Sequence, residues 1–309
     1  MKAPDVTVVV CTYNRAESLR LALADVVSQV TNDFSHEVLV VDDGSTDHTT
    51  NVIEEARRLS PVVLRRVESG GTSVAAARNR GIREAAGEWV VFFDDDQRAD
   101  PQWLEQLCTA GWASGGQFAG GPIVLDLPNG REVGPTVRAI LGEYPPAKDA
   151  KSPLPPGGNR LISREVFSRI GLHDESITTG GEDYDLLLRA VDAGVRFTWV
   201  SSAVVHHVIP VDRLDVETLR SYCLLSGVGR ARADRRYLGS TRQMYRLFVR
   251  IAKGWIANAG AWIWAIAAGS SSTEADCRAR FWLTKGYVQE TVKQHQDAED
   301  KSQSFRDLR

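Results

Sequence analysis

Apolar residues near the start of the chain fall into short, mostly β-branched runs, each followed by a polar loop and then by a stretch with helical spacing. Val6 to Cys11 leads into Thr12-Tyr13-Asn14-Arg15 and an amphipathic stretch beginning near Glu17. Glu37 to Val41 leads into Asp42-Asp43-Gly44-Ser45-Thr46-Asp47 and a helix over Thr49 to Leu59 that carries Val52, Ile53 and Ala56 on its apolar face. A third strand near Val62 to Val67 precedes Gly70-Gly71 and a helix around Val74 to Ala86, and Trp89 to Phe93 forms a fourth. Uninterrupted apolar runs of this length predict strands covered on both faces. Their alternation with helices predicts an α/β fold with a central, mostly parallel sheet.

The segment from Gly121 to Gly158 is rich in Gly and Pro, including Pro145, Pro146, Pro155 and Pro156, and predicts an irregular substrate loop. Helices follow over Arg164 to Ile170 and Asp183 to Ala193, the second stopped by Gly194, with a strand over Arg196 to Val200. Farther on, Met244, Leu247, Phe248, Ile251, Trp255, Ala259, Trp262, Ile263 and Ile266 recur at spacings of three and four, one face of a long helix. From Gln294 onward, dense charge and few apolar residues predict a frayed tail. The expected organisation is a catalytic domain over 1–213, with a donor half to about 120 and an acceptor half beyond it, and a helical extension over 214–309.

A net charge of -3 provides no global basic field, which argues against nucleic acid as a partner. The four cysteines, Cys11, Cys108, Cys223 and Cys277, have neither paired nor zinc-like spacing, so they read as reduced thiols of a cytoplasmic protein. The N-terminal apolar run is strand-sized and lacks the long centre and cleavage site of a secretory signal.

The fourth strand ends in Asp94-Asp95-Asp96. Three adjacent carboxylates at the end of a buried strand repel one another unless a cation or an ordered hydrogen-bond network neutralises them. A hard divalent ion, Mg²⁺ or Mn²⁺, suits oxygen ligands and binds few carboxylates while substrate phosphates complete its shell. The plainer alternative is a solvated turn.

The ordered set Val10-Cys11-Thr12-Tyr13-Asn14-Arg15, Val41-Asp42-Asp43-Gly44-Ser45, Ala77-Arg78-Asn79, Asp94-Asp95-Asp96 and Gly181-Glu182-Asp183-Tyr184-Asp185-Leu186 resembles a family two glycosyltransferase with the GT-A fold, over roughly Val6 to Arg213. The resemblance implies an inverting, metal-dependent transferase that uses a nucleoside diphosphate sugar, most simply a UDP-sugar. By the same resemblance, Asp43 would hydrogen-bond the base, Thr12, Tyr13 and Arg15 would frame base and ribose, and Arg78 would approach the nucleotide or its phosphates. Asp94 and Asp95 would meet ribose and donor sugar, Asp96 would hold the metal with Asp94 and His207 as further ligands, and Asn159 of Gly157-Gly158-Asn159 would face donor and acceptor. Asp183 would be the general base beside Glu182, with the choice between the two left open, as is the choice between His206 and His207. Each motif also has an ordinary structural reading, as an Asx turn, a helix cap, a solvated arginine or a core histidine. The chain departs from the family pattern at Glu68-Ser69-Gly70-Gly71, where an Asn is common before the glycine.

A sugar nucleotidyltransferase would carry a Gly-rich basic loop after the first strand, which Thr12-Tyr13-Asn14-Arg15 is not, and a nicotinamide enzyme would carry G-x-G-x-x-G there. A catalytically silent glycan-binding or scaffold protein remains the other reading. Arg230, Arg232, Arg235, Arg236, Arg242, Arg246, Arg250 and Lys253 contain only Asp234 among them, and the apolar run from Gly254 to Gly269 falls short of the ~20 residues of a spanning helix. That combination suits either peripheral contact with an anionic inner membrane face, with a glycan or lipid-linked acceptor in cell-envelope or polysaccharide synthesis, or a helix packed on the catalytic domain or in a homo-oligomer.

Overall fold

The computed structural model describes residues 3–71, 73–145, 155–178 and 180–307, with backbone alone for 238, 240–244, 246–248, 250–257, 260, 264 and 298–307. The described residues form ten strands: β1 Val6–Thr12, β2 His36–Asp42, β3 Val63–Glu68, β4 Trp89–Phe93, β5 Gln97–Ala99, β6 Phe118–Gly120, β7 Ile123–Asp126, β8 Asn159–Ser163, β9 Phe197–Trp199 and β10 Val205–Val208. The helices are α1 Ala16–Val27, α2 Thr49–Leu59, α3 Val74–Glu84, α4 Trp103–Ala113, α5 Pro135–Ile140, α6 Arg164–Ile170, α7 Glu182–Asp192, α8 Val216–Ala268 and α9 Ser271–Asp307. The chain divides into two compact units, one of Met1–Asp126, Gly142–Thr178 and Glu182–Ile209, the other of Leu127–Leu141, Thr179–Gly181 and Pro210–Arg309.

In the first unit a seven-stranded sheet runs in the order β3-β2-β1-β4-β8-β6-β9. β3, β2, β1 and β4 are parallel, β8 is antiparallel to β4 and β6, and β6 pairs in parallel with β9. Successive side chains enter opposite layers. Val8, Val10, Val38, Val40, Val91 and Phe93 pack with α1, α2 and α4 through Leu19, Leu23, Ile53, Leu104 and Leu107. Val9, Leu39, Val41, Val90 and Phe92 pack on the other side with Ala77, Ile82, Phe167, Leu186 and Leu187 of α3, α6 and α7. Burial on both faces is why these strands read as continuous apolar runs. A smaller sheet, β5-β10-β7, follows the acidic turn after β4.

The parallel half is pinned by one buried acid near the amino end of β2. Glu37 on β2 accepts hydrogen bonds from the Thr7 hydroxyl on β1 at 2.8 Å, from Arg65 on β3 at 2.9 Å through both nitrogens, and from the Ala86 amide before β4 at 3.0 Å. One carboxylate therefore ties together four consecutive segments of the sheet.

The segment expected to be irregular contains β7 and α5, and its 146–154 stretch lies outside the described residues. In the second unit, Asp276 of α9 supplies the cap that the start of α5 lacks locally, accepting from the amides of Thr136 at 2.6 Å and Val137 at 3.1 Å. α8 is interrupted at Gly239, whose φ of 71° no helix accommodates, and ends at Gly269 in the left-handed conformation. α8 and α9 touch backbone to backbone where Gly227 meets Leu283 and Gly286 meets Leu224; a Cβ at either glycine would lie 2.2 Å from a carbonyl oxygen. The expected frayed tail is instead helical to Asp307. Most side chains of the expected helix face, including Met244, Leu247, Phe248, Ile251 and Trp255, lie outside what is described.

Burial raises the proton affinity of Glu37, but its hydrogen bonds to Arg65, Ala86 and Thr7 outweigh burial and leave its carboxyl below the ordinary value. A group depressed in the folded state stabilises above its unfolded pKa and loses that contribution as pH falls through the folded one. Glu37→Gln should therefore lower stability by about 2 kcal/mol at pH 7 and by much less near pH 3, measured by urea unfolding at both pH values.

Candidate active site

β1, β2 and β4 are parallel, so their carboxyl ends open on one edge of the sheet, where ligands bind in open α/β folds. At the end of β1, the Thr12 hydroxyl donates to Asp95 at 2.7 Å, and Arg15 bridges Asp95 and Asp96 at 2.8 Å each. Tyr13 is more than half exposed beside them. Asn14, which no chemical expectation singled out, adopts a φ of 51° and accepts from the Thr46 amide at 2.7 Å, locking the loop after β1 to the loop after β2. Asparagine tolerates that backbone better than most residues.

At the end of β2, Asp42 is fully buried and accepts from the Ser45 amide at 2.9 Å and from Arg66 at 2.8 Å. Asp43 turns the other way. Its Oδ1 accepts from the Ser69 hydroxyl and, at 3.0 Å, from the Gly71 amide. Ser69 and Gly71 belong to the stretch that departs from the expected family pattern, and they orient the expected base-binding carboxylate.

The acid triplet divides by side. Asp95 meets β1 and Arg15, whereas Asp94 meets Arg78 of α3, its Oδ1 3.6 Å from Nη2. Burial pushes Asp95 up to about 6 despite Arg15 beside it. Asp96 is placed by the small sheet: Val208 donates its amide to the Asp96 carbonyl at 3.0 Å, and His207 Nε2 comes to 3.4 Å from Asp96 Oδ2. Strand alternation leaves His206 exposed, so His207 is the histidine at the site. A carboxylate oxygen beside an imidazole nitrogen fits Mn²⁺ better than Mg²⁺, which takes oxygen ligands. Among the described residues no three metal-ligating side chains converge, and Asp94 is turned to Arg78.

Arg78, 7% exposed, gathers the remaining acids: Nη1 lies 2.6 Å from Glu182 Oε1 and 2.9 Å from Asp183 Oδ2. The two acids then part company. Burial raises Glu182, and the neighbouring Asp183 charge raises it further. Burial would raise Asp183 as well, but the guanidiniums of Arg160 and Arg78 overcome it and hold that carboxyl below the usual range. The Asp183 side chain is 29% exposed against 10% for Glu182, so Asp183 is the anion presented to solvent.

Two residues escaped the sequence reading. Arg160 has no exposed surface and donates from Nη2 to Asp183 Oδ1 at 2.6 Å; His173 stands 3.3 Å from the same nitrogen. Arg160 sits directly after the Gly157-Gly158-Asn159 turn, but a lone arginine in a strand carries no signal of its own. Asn159 has no exposed surface either. Its amide donates to the carbonyls of Pro122 at 2.9 Å and Ala203 at 2.8 Å and accepts from the Trp103 indole at 3.0 Å, so it fixes the turn from beneath. The backbone of Gly157 and Gly158 threads between the acids instead: a Cβ would lie 2.2 Å from Asp183 Oδ2 at the first and 2.1 Å from Asp94 Oδ2 at the second.

Residues 7–171 match the family model described as glycosyl transferase family 2. The chain belongs to that family. Among curated relatives it is 28% identical over 204 residues to glycosyltransferase AglE of Haloferax volcanii, covering 66% of this chain and 67% of AglE. It is 29% identical over 220 residues to the succinoglycan biosynthesis protein ExoO of Rhizobium meliloti, covering 67% of this chain and 62% of ExoO. Among solved structures, the mannosyltransferase PcManGT from Pyrobaculum calidifontis, in complex with GDP-Man and Mn²⁺, superposes with a TM-score of 0.63 at 20% identity, over 94% of this chain and 88% of PcManGT. S. aureus TarS 1-349 in complex with UDP gives 0.52 at 18% identity, over 95% and 92%. These likenesses establish the GT-A fold, and the family makes the chain a glycosyltransferase.

For this family 2 enzyme the glycine turn makes a steric prediction. Gly157→Ala should displace Asp183 and lower transferase turnover about 100-fold while the melting temperature changes little, with turnover and thermal unfolding measured on the same preparation.

Proposed function

We propose that this chain transfers a sugar, with inversion, from a nucleoside diphosphate, most simply UDP, to a hydroxyl of a glycan or lipid-linked acceptor. The observation that carries this reading is the Asp183 carboxylate, kept anionic between Arg78 and Arg160 and opening on the same sheet edge as Asp94, Asp95 and Asp96.

The roles follow from donor and acceptor chemistry. With Oδ1 of Asp43 engaged by Ser69 and Gly71, its second oxygen suits the single imide N–H of uracil, and Thr12, Tyr13 and Arg15 would frame base and ribose. The Arg78 guanidinium supplies positive charge for the diphosphate, and Glu182 anchors it from behind. Asp96 and His207 would hold Mg²⁺ or Mn²⁺ together with substrate phosphate, and the ion would offset charge growing on the departing nucleoside diphosphate. Complexes of fold neighbours with GDP-Man and Mn²⁺ and with UDP support that donor class. The acceptor oxygen bonds to the anomeric carbon as the bond from that carbon to the diphosphate oxygen breaks on the opposite face. The bond's electron pair leaves with the diphosphate, and the acceptor proton passes to Asp183, which gives inversion in one displacement.

The second unit bears on the acceptor. Ile263 and Ile266, 71% and 64% exposed near the end of α8, stand in a stretch without charge from Gly254 to Thr273 that follows the arginine-rich interval. We read this as peripheral contact with an anionic membrane surface at the cytoplasmic face, which favours a lipid-linked or cell-envelope acceptor. Among the described residues no helix is long and apolar enough to cross a membrane.

Incubation with UDP-sugars, Mn²⁺ and acceptor mixtures should release UDP. Asp96→Ala should abolish the metal-dependent part of donor binding by calorimetry; Asp183→Asn should keep donor binding and lose about 10³-fold in turnover, and normal turnover in that variant would refute the base assignment. Ile263→Asp with Ile266→Asp should weaken sedimentation with phosphatidylglycerol vesicles while donor affinity stays unchanged; equal sedimentation would dismiss the membrane contact.

A further inference from the structure

Arg160 is the least expected charge in the catalytic unit. β8 alternates across the sheet, so Asn159 points to the α4 layer and Arg160 to the layer of Phe92, where its guanidinium carbon lies 4.9 Å from the ring centroid. The side chain is completely buried, and Asp183 is its partner at 2.6 Å. Nη2 carries two hydrogens, one for Asp183 Oδ1 and one for His173 Nε2 at 3.3 Å. Burial, with the Arg160 charge adding to it, pushes His173 down to about 3, so this imidazole is neutral and accepts. Asn79 fixes the histidine in turn, accepting its amide and donating to its carbonyl, both at 2.9 Å.

The two other nitrogens of Arg160, Nε and Nη1, are buried without a hydrogen-bond partner among the described residues. For stability alone this is a poor arrangement. A buried ion pair as a whole is frequently matched or bettered by apolar side chains of similar volume, whereas removing one partner alone is costly. Asp183, by contrast, gains a fixed rotamer: Oδ1 is tied to Arg160, and Oδ2 lies 2.9 Å from Arg78 Nη1 beside the Gly157 turn, in a side chain that keeps 29% of its surface exposed.

We infer that Arg160 is a positioning residue for the transfer step: anchored on Phe92 and His173, it grips Asp183 through Oδ1 and aims Oδ2 at the acceptor hydroxyl. This rests on the reading of Asp183 as the general base. It assigns the Asn79, His173 and Arg160 series a catalytic purpose that reaches the reacting proton only through Asp183.

The test compares Arg160→Met and Arg160→Lys with the wild-type chain, using UDP-sugar, Mn²⁺ and acceptor. In folded Arg160→Met, UDP affinity should stay near wild type while kcat falls about 100-fold, and the melting temperature should drop because Asp183 loses one of its two cations. The groups facing Asp183 are Arg78 from α3, Arg160 from β8, His173 from the loop before α7, Glu182 from α7 and Asp94 after β4. Loss of the Arg160 charge alone should therefore move the acid limb of kcat/KM to higher pH, whereas a merely structural role would leave that limb in place. Arg160→Lys, which keeps the charge but not the planar fork, should hold the acid limb and recover only part of kcat. If Arg160→Met does not fold, full kcat in Arg160→Lys overturns the proposal. An unchanged kcat and acid limb in folded Arg160→Met overturn it as well. Should the wild-type chain release no UDP from any nucleotide sugar, the transfer reading fails separately; ¹³C-NMR titration of Asp183, assigned with Asp183→Asn, then decides Arg160, and identical titration in wild type and Arg160→Met refutes the contact.

Discussion

The five carboxylates of Asp94, Asp95, Asp96, Glu182 and Asp183 crowd together at the open edge of the sheet, and their mutual repulsion is the constraint that the first unit is organised to meet. Asp94, Asp95, Asp96, Glu182 and Asp183 are held by three arginines that arrive from different elements: Arg15 after β1, Arg78 from α3 and Arg160 from β8. Unit charges about 4 Å apart interact by several kcal/mol at the effective dielectric of a protein surface, so the cluster persists only because each acid has a cation within reach. Five acids against three arginines leave this cluster with net negative charge.

Strand parity distributes this charge. Phe93 packs toward α1 and α4, and the residues that follow it divide accordingly, Asp94 toward α3 and α7, Asp95 toward β1. Parity on β10 brings His207 to Asp96 and leaves His206 outside, and parity on β8 separates Asn159 from Arg160. Neighbours in sequence thereby take different tasks. In Glu182 and Asp183 the division is electrostatic: burial makes the first reluctant to ionise, while two guanidiniums keep the second charged.

The second unit is assembled on other terms. Glycines at 227 and 286 allow α8 and α9 to approach until backbones touch, and polar pairs such as Tyr287 with Asp234 at 2.7 Å and Arg232 with Glu290 at 2.9 Å fix the register between them. Asp276 extends the same helix pair to α5 by capping it. None of these contacts has a local sequence signature, because each joins residues separated by 53 or more positions.

The alternating α/β order, the boundaries of α2, β4 and α6, the acid triplet at a strand end and the family were all legible in the amino-acid order, since each depends on local periodicity or short motifs. Long-range packing, in contrast, put Asn159 beneath the turn, set Ser69 and Gly71 to orient Asp43, and seated Arg160 behind Asp183. It also placed β7 and α5 inside a stretch rich in glycine and proline that composition predicted to be irregular. The physical reason is the same throughout: hydrophobic pattern dictates which face of an element is buried, whereas the partner of a buried charge is set by long-range packing that no local window contains.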